Sequence, residues 1–193
     1  MSLWRAPRCA AVDKAGLRRQ AVAAVAALPP ARRALEEELV QAAVQADPAW
    51  QAARTVLLYK ALGHELSVVG LTLAAWRGGK RVLFPRVEGQ RLVLRPVASW
   101  AELRPGPLGV AEPPAGPGVP PAEVDLAIVP GVAFGPDGAR LGRGGGHYDR
   151  LLPGLRLSWG VAFDCQVVAG LPTLPHDRPV HRVWCASAVQ ATA

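Results

Sequence analysis

Short apolar runs bounded by proline, glycine and charged residues recur along the chain, and each is typical of a buried β-strand. The clearest run is Asp125–Pro130, in which Leu-Ala-Ile-Val stands between an aspartate and a proline. The same pattern predicts further strands over Thr55–Tyr59, Arg81–Pro85, Arg91–Arg95, Ser158–Phe163 and Val183–Val189. These runs indicate a β-sheet, and the stretches between them decide its type.

Helical patterns precede and separate these runs. The stretch from Asp13 to Ala46 is rich in Ala, Leu, Arg and Glu, and Pro29-Pro30 divides it into two helices because proline ends a helix. Asp47-Pro48 ends the second helix. A third helix is predicted over Ser67–Arg77, before Gly78-Gly79, and a short one is predicted to end at Leu152.

The first helix has an apolar and a basic side. Leu17, Val22 and Val25 approximate one face, and Lys14, Arg18 and Arg19 lie on the other. Lys14 and Arg18 are four residues apart and therefore neighbours on the helix surface. Two readings remain for this pair, a solvated face and an anion clamp, and the solvated face is the more common outcome.

The order of the elements indicates the fold class. Strand Thr55–Tyr59, helix Ser67–Arg77 and strand Arg81–Pro85 form a β-α-β unit, whose right-handed crossover makes the two strands parallel. Arg104–Pro121 is so rich in Pro and Gly that we expect an irregular connection. We therefore predict an α/β fold: a single three-layer domain over residues 1–193, with a mainly parallel sheet flanked by helices and an N-terminal helical pair.

Composition narrows the class of partner. The 193 residues carry a net charge of +7, which favours an anionic partner, either nucleic acid or a phosphorylated or carboxylated small molecule. The basic residues are scattered and aromatic residues make up only 6 %, so nucleic acid is the weaker candidate.

No apolar stretch suits a membrane span or a secretory signal, and we expect a cytoplasmic protein that does not engage a membrane. Cys9, Cys165 and Cys185 are far apart and encode neither a disulfide framework nor a zinc site.

A glycine-rich loop follows the clearest strand. Ligands of open α/β sheets bind beyond the carboxyl ends of the strands, which is where this loop is expected. Its glycines let backbone N–H groups approach an anion, and the following helix N-terminus and two arginines add positive charge; these residues are Arg140, Gly142, Arg143, Gly144, Gly145 and Gly146. The pattern favours a phosphate site over a plain turn. It matches neither the Walker motif nor the dinucleotide motif.

Asp149 follows the glycines directly. A carboxylate beside phosphates is a typical partner of Mg²⁺, which takes one or two carboxylates together with phosphate oxygens. The alternative is an ordinary first-turn helix acid, which the helix dipole favours in any case.

These residues also carry a family resemblance. The run Val129-Pro-Gly-Val-Ala-Phe, continued by Gly138-Ala-Arg-Leu-Gly-Arg-Gly-Gly-Gly-His-Tyr-Asp-Arg150, resembles the signature of the 5-formyltetrahydrofolate cyclo-ligases, also called methenyltetrahydrofolate synthetases. Further segments resemble the family over nearly the whole chain: Lys14-x-x-x-Arg18, Val56 to Glu65, Gly79 to Arg86, Gly109 to Pro113, and Leu174-Pro-His-Asp177.

The resemblance implies an ATP- and Mg²⁺-dependent conversion of 5-formyltetrahydrofolate to 5,10-methenyltetrahydrofolate. The γ-phosphoryl group would pass to the formyl oxygen, N10 would attack the activated carbon, and ADP and phosphate would be released. It implies catalytic roles for Lys14 and Arg143, a folate contact at Tyr59, Lys60 and Glu65, and a metal site at Asp149 and Asp177. ATP would contact Lys14, Arg18, Arg140, Leu141, Gly142, Arg143, Gly144, Gly145, Gly146, His147 and Tyr148.

Two histidines depart from the family pattern. His147 stands where the family commonly has tyrosine, and His181 stands where it often has aspartate. The alternatives to the cyclo-ligase reading are a non-catalytic nucleotide- or nucleic-acid-binding protein and a divergent relative that acts on another formylated substrate. We expect a monomer.

Overall fold

The computed structural model describes residues 13–106 and 109–191, and a six-stranded sheet lies at its centre. The helices are α1 Lys14–Ala26, α2 Pro30–Ala46, α3 Pro48–Ala52, α4 Val69–Arg77, α5 His147–Leu151 and α6 Ala186–Gln190. The strands are β1 Thr55–Leu57, β2 Arg81–Glu88, β3 Arg91–Pro96, β4 Arg104–Pro105, β5 Ala111–Glu112, β6 Leu126–Val129, β7 Ala133–Phe134, β8 Arg140–Leu141, β9 Ser158–Val161 and β10 Arg182–Trp184.

The strand order of the central sheet is β10-β9-β6-β1-β2-β3. Neighbouring strands pair in parallel from β10 to β2, and β3 returns antiparallel to β2. The predicted α/β fold with a mainly parallel sheet is confirmed. Because β2 lies on one side of β1 and β6 lies on the other, the chain changes direction between β1 and β6, and such a switch point opens a crevice for a ligand.

Both faces of the sheet are covered by apolar side chains, as expected for a parallel sheet. Val56 and Leu58 point to the face that packs against α2, α3 and α4, and Leu57 points to the face that packs against α5. All three are fully buried. Successive residues of a strand face opposite sides, so the continuous apolar run of the sequence supplies both cores.

The predicted helix boundaries are set by local capping. The Asp13 carboxylate accepts a hydrogen bond from the Gly16 N–H at 2.7 Å and starts α1, and Pro30 occupies the first position of α2. The Asp47 carboxylate likewise accepts from the Ala49 N–H at 2.8 Å, which starts the short helix α3.

The apolar face predicted for α1 is partly wrong. Val22 is exposed, and the buried residues are Gly16, Ala21 and Val25, because small side chains allow α1 a close approach to the segment around Asp164–Gln166.

The strand predicted over Val183–Val189 is wrong in its second half. The strand ends at Trp184, and Ala186–Gln190 forms helix α6. The Asp164 carboxylate accepts hydrogen bonds from the Ser187 N–H at 2.8 Å and the Ser187 hydroxyl at 2.7 Å, and thereby stabilises the first turn of α6. A short apolar run is compatible with either structure, and this tertiary contact decides between them.

The structure adds elements that the pattern missed. Two short antiparallel ladders were not predicted: β4–β5 lies within the stretch expected to be an irregular connection, and β7–β8 lies between β6 and the glycine-rich loop. Cys165 and Cys185 are free thiols, and Cys9 lies outside the described residues. Within ranges 13–106 and 109–191, no helix is both long enough and apolar enough to cross a lipid bilayer.

Candidate active site

A cavity of about 430 Å³ lies beyond the carboxyl ends of β1 and β6, at the switch point of the sheet. Tyr59 follows β1 and Pro130 follows β6, and both line it. Every residue that the sequence predicted for the site lines this cavity: Lys14, Arg18, Tyr59, Lys60, Glu65, Arg140, Leu141, Gly142, Arg143, Gly144, Gly145, Gly146, His147, Tyr148, Asp149 and Asp177. Segments far apart in sequence therefore meet in one place.

The glycine-rich loop connects β8 to α5 along one wall of the cavity. Gly144 and Gly146 have φ values of +105° and +64°, a backbone conformation that side chains disfavour. Arg18 of α1 donates from Nε to the Gly142 carbonyl at 2.7 Å and holds this loop against the first helix. Helix α5 has only five residues, so the positive charge at this wall comes mainly from arginine side chains.

The basic pair of α1 faces the cavity, and the more common outcome of a solvated face is wrong here. Lys14 forms an ion pair with Asp177, and the side chains of both are only 13 % exposed. Burial raises the pKa of Asp177, but hydrogen bonds from Lys14 and the Leu174 N–H, together with the charge of Lys14, hold that pKa below its usual value. The pair fastens the turn at Leu174–Asp177 to α1.

Arg140 and Asp149 form a second ion pair in the cavity wall. Arg140 Nη2 lies 3.0 Å from Asp149 Oδ1, and the arginine side chain is only 3 % exposed. Arg140 also donates to the Pro130 carbonyl at 3.3 Å, while its Nε is buried without a partner among the described residues. Asp149 also accepts from the Arg178 N–H at 3.2 Å. The charge of Arg140 is therefore largely balanced within the protein.

Arg143 differs from Arg140 because it is exposed and its guanidinium has no hydrogen bond or ion pair with the residues that the structure describes. Burial lowers the pKa of His64, and the charge of Arg143 lowers it further. The same charge opposes the rise that burial causes in the pKa of Glu65. A free guanidinium at the edge of a cavity is well placed to meet an anion.

His147 and Tyr148 begin α5 beside the loop. His147 Nδ1 lies 3.2 Å from the Gln90 carbonyl, so the ring donates from Nδ1, because a carbonyl oxygen only accepts. The Tyr148 ring stacks on the Arg140 guanidinium at 5.4 Å, and its buried hydroxyl has no described partner. Burial first, and then the charge of Glu65, raises the pKa of Tyr148 above its usual range.

Glu65 supplies a buried carboxylate from the loop after β1. The residue is 6 % exposed, and its Oε2 accepts from the Leu62 N–H at 2.9 Å. Burial raises the pKa of Glu65, although the Leu62 hydrogen bond and Arg143 oppose the shift. Tyr59 lies beside it, and burial, followed by the charge of Glu65, raises the pKa of Tyr59 well above its usual range. The Tyr59 hydroxyl donates to the Leu66 carbonyl at 2.6 Å.

Sequence reasoning assigned no role to several residues that line the cavity. Glu112 of β5 is 3 % exposed, and its Oε2 has no described partner. Its segment, Gly109–Pro113, was recognised as similar to the family, but a two-residue strand gives no signal of which side chain points inward. Apolar walls come from the β2–β3 hairpin and its neighbours: Phe84, Pro85, Val87, Leu92 and Val110.

Two residues singled out by the comparison with the family pattern lie away from the cavity. Lys80, in the family-like segment Gly79 to Arg86, donates to three backbone carbonyls at the end of α3, those of Trp50, Gln51 and Ala53. His181 does not line the cavity, and its Nδ1 accepts from the Ser158 N–H at 3.1 Å at the amino end of β9. In the described part of the chain no three His, Cys, Asp or Glu residues form a cluster suited to a metal ion.

The chain matches the family model of the 5-formyltetrahydrofolate cyclo-ligases over residues 10–186. The 5-formyltetrahydrofolate cyclo-ligase of Mycolicibacterium smegmatis is 31 % identical over 161 residues, which cover 76 % of this chain and 83 % of that protein. The enzyme of the same name from Escherichia coli K12 is 35 % identical over 151 residues, which cover 71 % of this chain and 80 % of that protein.

Solved structures agree with this assignment. The NMR structure of Aquifex aeolicus 5,10-methenyltetrahydrofolate synthetase superposes with a TM-score of 0.79 at 35 % identity, over 89 % of this chain and 88 % of that one. A 5,10-methenyltetrahydrofolate synthetase from Mycoplasma pneumoniae shares the fold at 20 % identity, with a TM-score of 0.74 over 90 % of this chain and 99 % of that one. This chain therefore belongs to the 5-formyltetrahydrofolate cyclo-ligase family.

Proposed function

We propose that this protein uses ATP and Mg²⁺ to convert 5-formyltetrahydrofolate to 5,10-methenyltetrahydrofolate. In this reaction the formyl oxygen takes the γ-phosphoryl group, N10 attacks the activated carbon and loses its proton, and the oxygen leaves as phosphate. The observation that carries the proposal is the convergence of the basic α1 residues, the glycine-rich loop and the Glu65 loop on one cavity. Phosphoryl transfer depends mainly on positioning and on neutralising charge, which this arrangement can supply.

The phosphates of ATP fit the wall formed by α1 and the glycine-rich loop. Arg143 is free to contact them, and Lys14 and Arg18 are held close by at Asp177 and at the Gly142 carbonyl. The loop offers backbone N–H groups without side chains in the way. We assign Lys14 and Arg143 to the transferred phosphoryl group, and Arg140 chiefly to holding Asp149.

Asp149 and Asp177 are the carboxylates that would hold Mg²⁺ together with the phosphates. Their hard oxygen ligands suit this ion, which usually takes one or two carboxylates and completes its shell with phosphate oxygens and water. Bound Mg²⁺ neutralises charge that develops on the phosphates. Asp149 retains one oxygen beyond its contact with Arg140, and Asp177 is oriented by the Leu174 N–H.

The folate fits the part of the cavity that contains Tyr59, Lys60 and Glu65. A reduced pterin presents N–H donors on its planar pyrimidine ring, and the buried Glu65 carboxylate can accept from them. Phe84 and the Tyr59 ring provide apolar contact. Lys60 is exposed at the margin, where its ammonium lies 4.9 Å from the Trp100 ring, and it suits a carboxylate of the substrate.

The first test follows formation of the methenyl product optically with purified protein, 5-formyltetrahydrofolate and MgATP, and with controls that omit ATP or Mg²⁺. We expect product only in the complete mixture. Retained ATP binding without product would contradict the proposed acceptor and would favour another formylated substrate.

Arg143→Ala tests the phosphate wall, the part of the cavity lining formed by Lys14 and Arg18 of α1 and by residues 140–146 of the glycine-rich loop. A charge-assisted contact contributes about 1.5–3 kcal/mol, so we expect kcat/KM for ATP to fall at least about tenfold. Arg19→Ala is the matched control, because Arg19 is an exposed arginine of α1 that does not line the cavity. An effect of Arg143→Ala on folate affinity alone would contradict the assignment.

A further inference from the structure

Gln166 is a buried polar residue that does not line the cavity, yet it binds two segments that do. It is 1 % exposed and follows β9 in a short 3-10 turn, Asp164–Gln166. Its Oε1 accepts from the Phe163 N–H at 3.1 Å. Its Nε2 donates to the carbonyls of His64 at 3.1 Å and Val132 at 2.9 Å, and lies 3.4 Å from the Gly131 carbonyl.

The first of these segments carries Glu65. The chain between β1 and α4 has no helix or strand, so its position depends on individual contacts. Gln166 holds the His64 carbonyl, directly before Glu65, and Arg33 holds the Gly63 carbonyl at 2.8 Å. The Tyr59 hydroxyl anchors the other side of Glu65 at the Leu66 carbonyl, so Gln166 and Arg33 fix the part of the loop that precedes Glu65.

The second segment follows β6. Gly131 lines the cavity, and it follows Pro130 directly at the end of β6. One amide therefore fixes the chain after β6 relative to the loop after β1. These are the two sides of the switch-point crevice.

We propose that Gln166 is a positioning residue for the folate part of the cavity, where it sets the place of Glu65 relative to Gly131. This inference rests on the proposed function, because the readout is folate turnover. A carboxylate misplaced by about 1 Å can lower activity by up to about 100-fold without any loss of the contacting group itself. The phosphate wall depends on Arg18 and Asp177 and lies on other segments.

The test compares Gln166→Met with Gln41→Met. Methionine keeps the length and volume of glutamine but makes no such hydrogen bonds. Gln41 is the control, because its amide joins α2 to α4 away from the cavity: Oε1 accepts from the Leu71 N–H at 3.1 Å, and Nε2 donates to the Glu37 carbonyl of its own helix at 3.2 Å. We expect both variants to lose stability, but only Gln166 contacts segments that line the cavity.

For Gln166→Met we expect the KM for 5-formyltetrahydrofolate to rise about tenfold, with the KM for ATP within about twofold of wild type. For Gln41→Met we expect lower thermal stability and unchanged KM values. Lower stability of Gln166→Met with an unchanged folate KM, or an equal rise in the KM of both substrates, overturns the positioning role. If the Met variant does not fold, Gln166→Asn replaces it, since Asn keeps a polar amide in the buried site but is one methylene too short to reach both the Phe163 N–H and the His64 and Val132 carbonyls.

Failure of the proposed function gives a different result. If wild-type protein forms no methenyl product, calorimetry measures the binding of 5-formyltetrahydrofolate to the same variants. A tenfold loss of affinity in Gln166→Met, but not in Gln41→Met, then supports the positioning role although the reaction is wrong. A wild-type chain that neither turns over nor binds this folate overturns both.

Discussion

Replacing Glu65 with Gln removes one charge from the cavity and leaves the shape of the side chain almost unchanged. Residue 65 is 6 % exposed, and its Oε2 accepts one hydrogen bond from the protein, at 2.9 Å from the Leu62 nitrogen. The carbonyl oxygen of a glutamine can keep that bond. The remaining oxygen, which is available to the substrate, becomes an amide that donates where the carboxylate accepted.

The expected magnitude follows from this exchange. A hydrogen bond to a charged acceptor contributes about 1.5–3 kcal/mol, whereas a neutral one contributes about 0.5–1.5 kcal/mol. Loss of the charge and of one accepted bond should weaken folate binding by about 2 kcal/mol, which corresponds to a rise in KM of about 30-fold. The KM for ATP should change little, because the phosphate wall keeps all its charges.

Steady-state rates of methenyl formation, with each substrate varied in turn, measure both constants. Circular dichroism spectra and a thermal melt establish that the variant is folded. A Glu65→Gln variant that changes only the ATP dependence would refute the reasoning, since it would exchange the two parts of the cavity. An unchanged folate KM would also refute it.

The stability of the same variant supplies an independent check. Burial raises the pKa of Glu65 above its ordinary value of 4.5, so the folded protein binds this proton more tightly than the unfolded chain does. Stability contributed by this group is therefore lost as pH rises from 4.5 through the folded-state pKa, and the cost of the buried charge is fully present at neutral pH. The variant lacks this loss, and its melting temperature should fall less than that of wild type over the same range.

Two further substitutions test the charged walls. Asp149→Asn leaves the buried Arg140 guanidinium without its counter-charge, and we expect the protein to lose about 3 kcal/mol of stability. We also expect turnover to lose most of its magnesium dependence; unchanged activity at limiting Mg²⁺ would exclude the metal role. Lys80→Met removes the donor to three carbonyls at the end of α3, and we expect about 2 kcal/mol lower stability in denaturant unfolding with unchanged KM values; a raised KM for ATP would instead make Lys80 a nucleotide contact.

The main elements of the sheet follow from local patterns. A buried parallel strand needs apolar residues on both faces, so Leu126–Val129 can be recognised as a strand from its own four residues. Proline and aspartate act on their immediate neighbours, and the boundary between α1 and α2 was therefore predictable. The second half of Val183–Val189 was not, because its helix depends on Asp164, 23 residues away from Ser187.

The same distinction holds within the cavity. The glycine-rich loop could be recognised because residues that are adjacent in sequence supply its conformation and its arginines. The state of those arginines could not be predicted: Arg140 is buried against Asp149, whereas Arg143 is exposed. Each outcome depends on which segments pack against the loop. Residue type could not distinguish the two positions, because both residues are arginines.

The amino-acid sequence by itself determined the α/β class, the succession of the principal strands along the chain and the residues of a candidate anion-binding loop. Only the tertiary structure decided that Lys14 and Arg18 face the cavity and that Glu112 joins it. Local sequence patterns reflect only the interactions of a residue with its near neighbours along the chain. The place of a side chain in the site depends on contacts between segments that the chain brings together only when it folds.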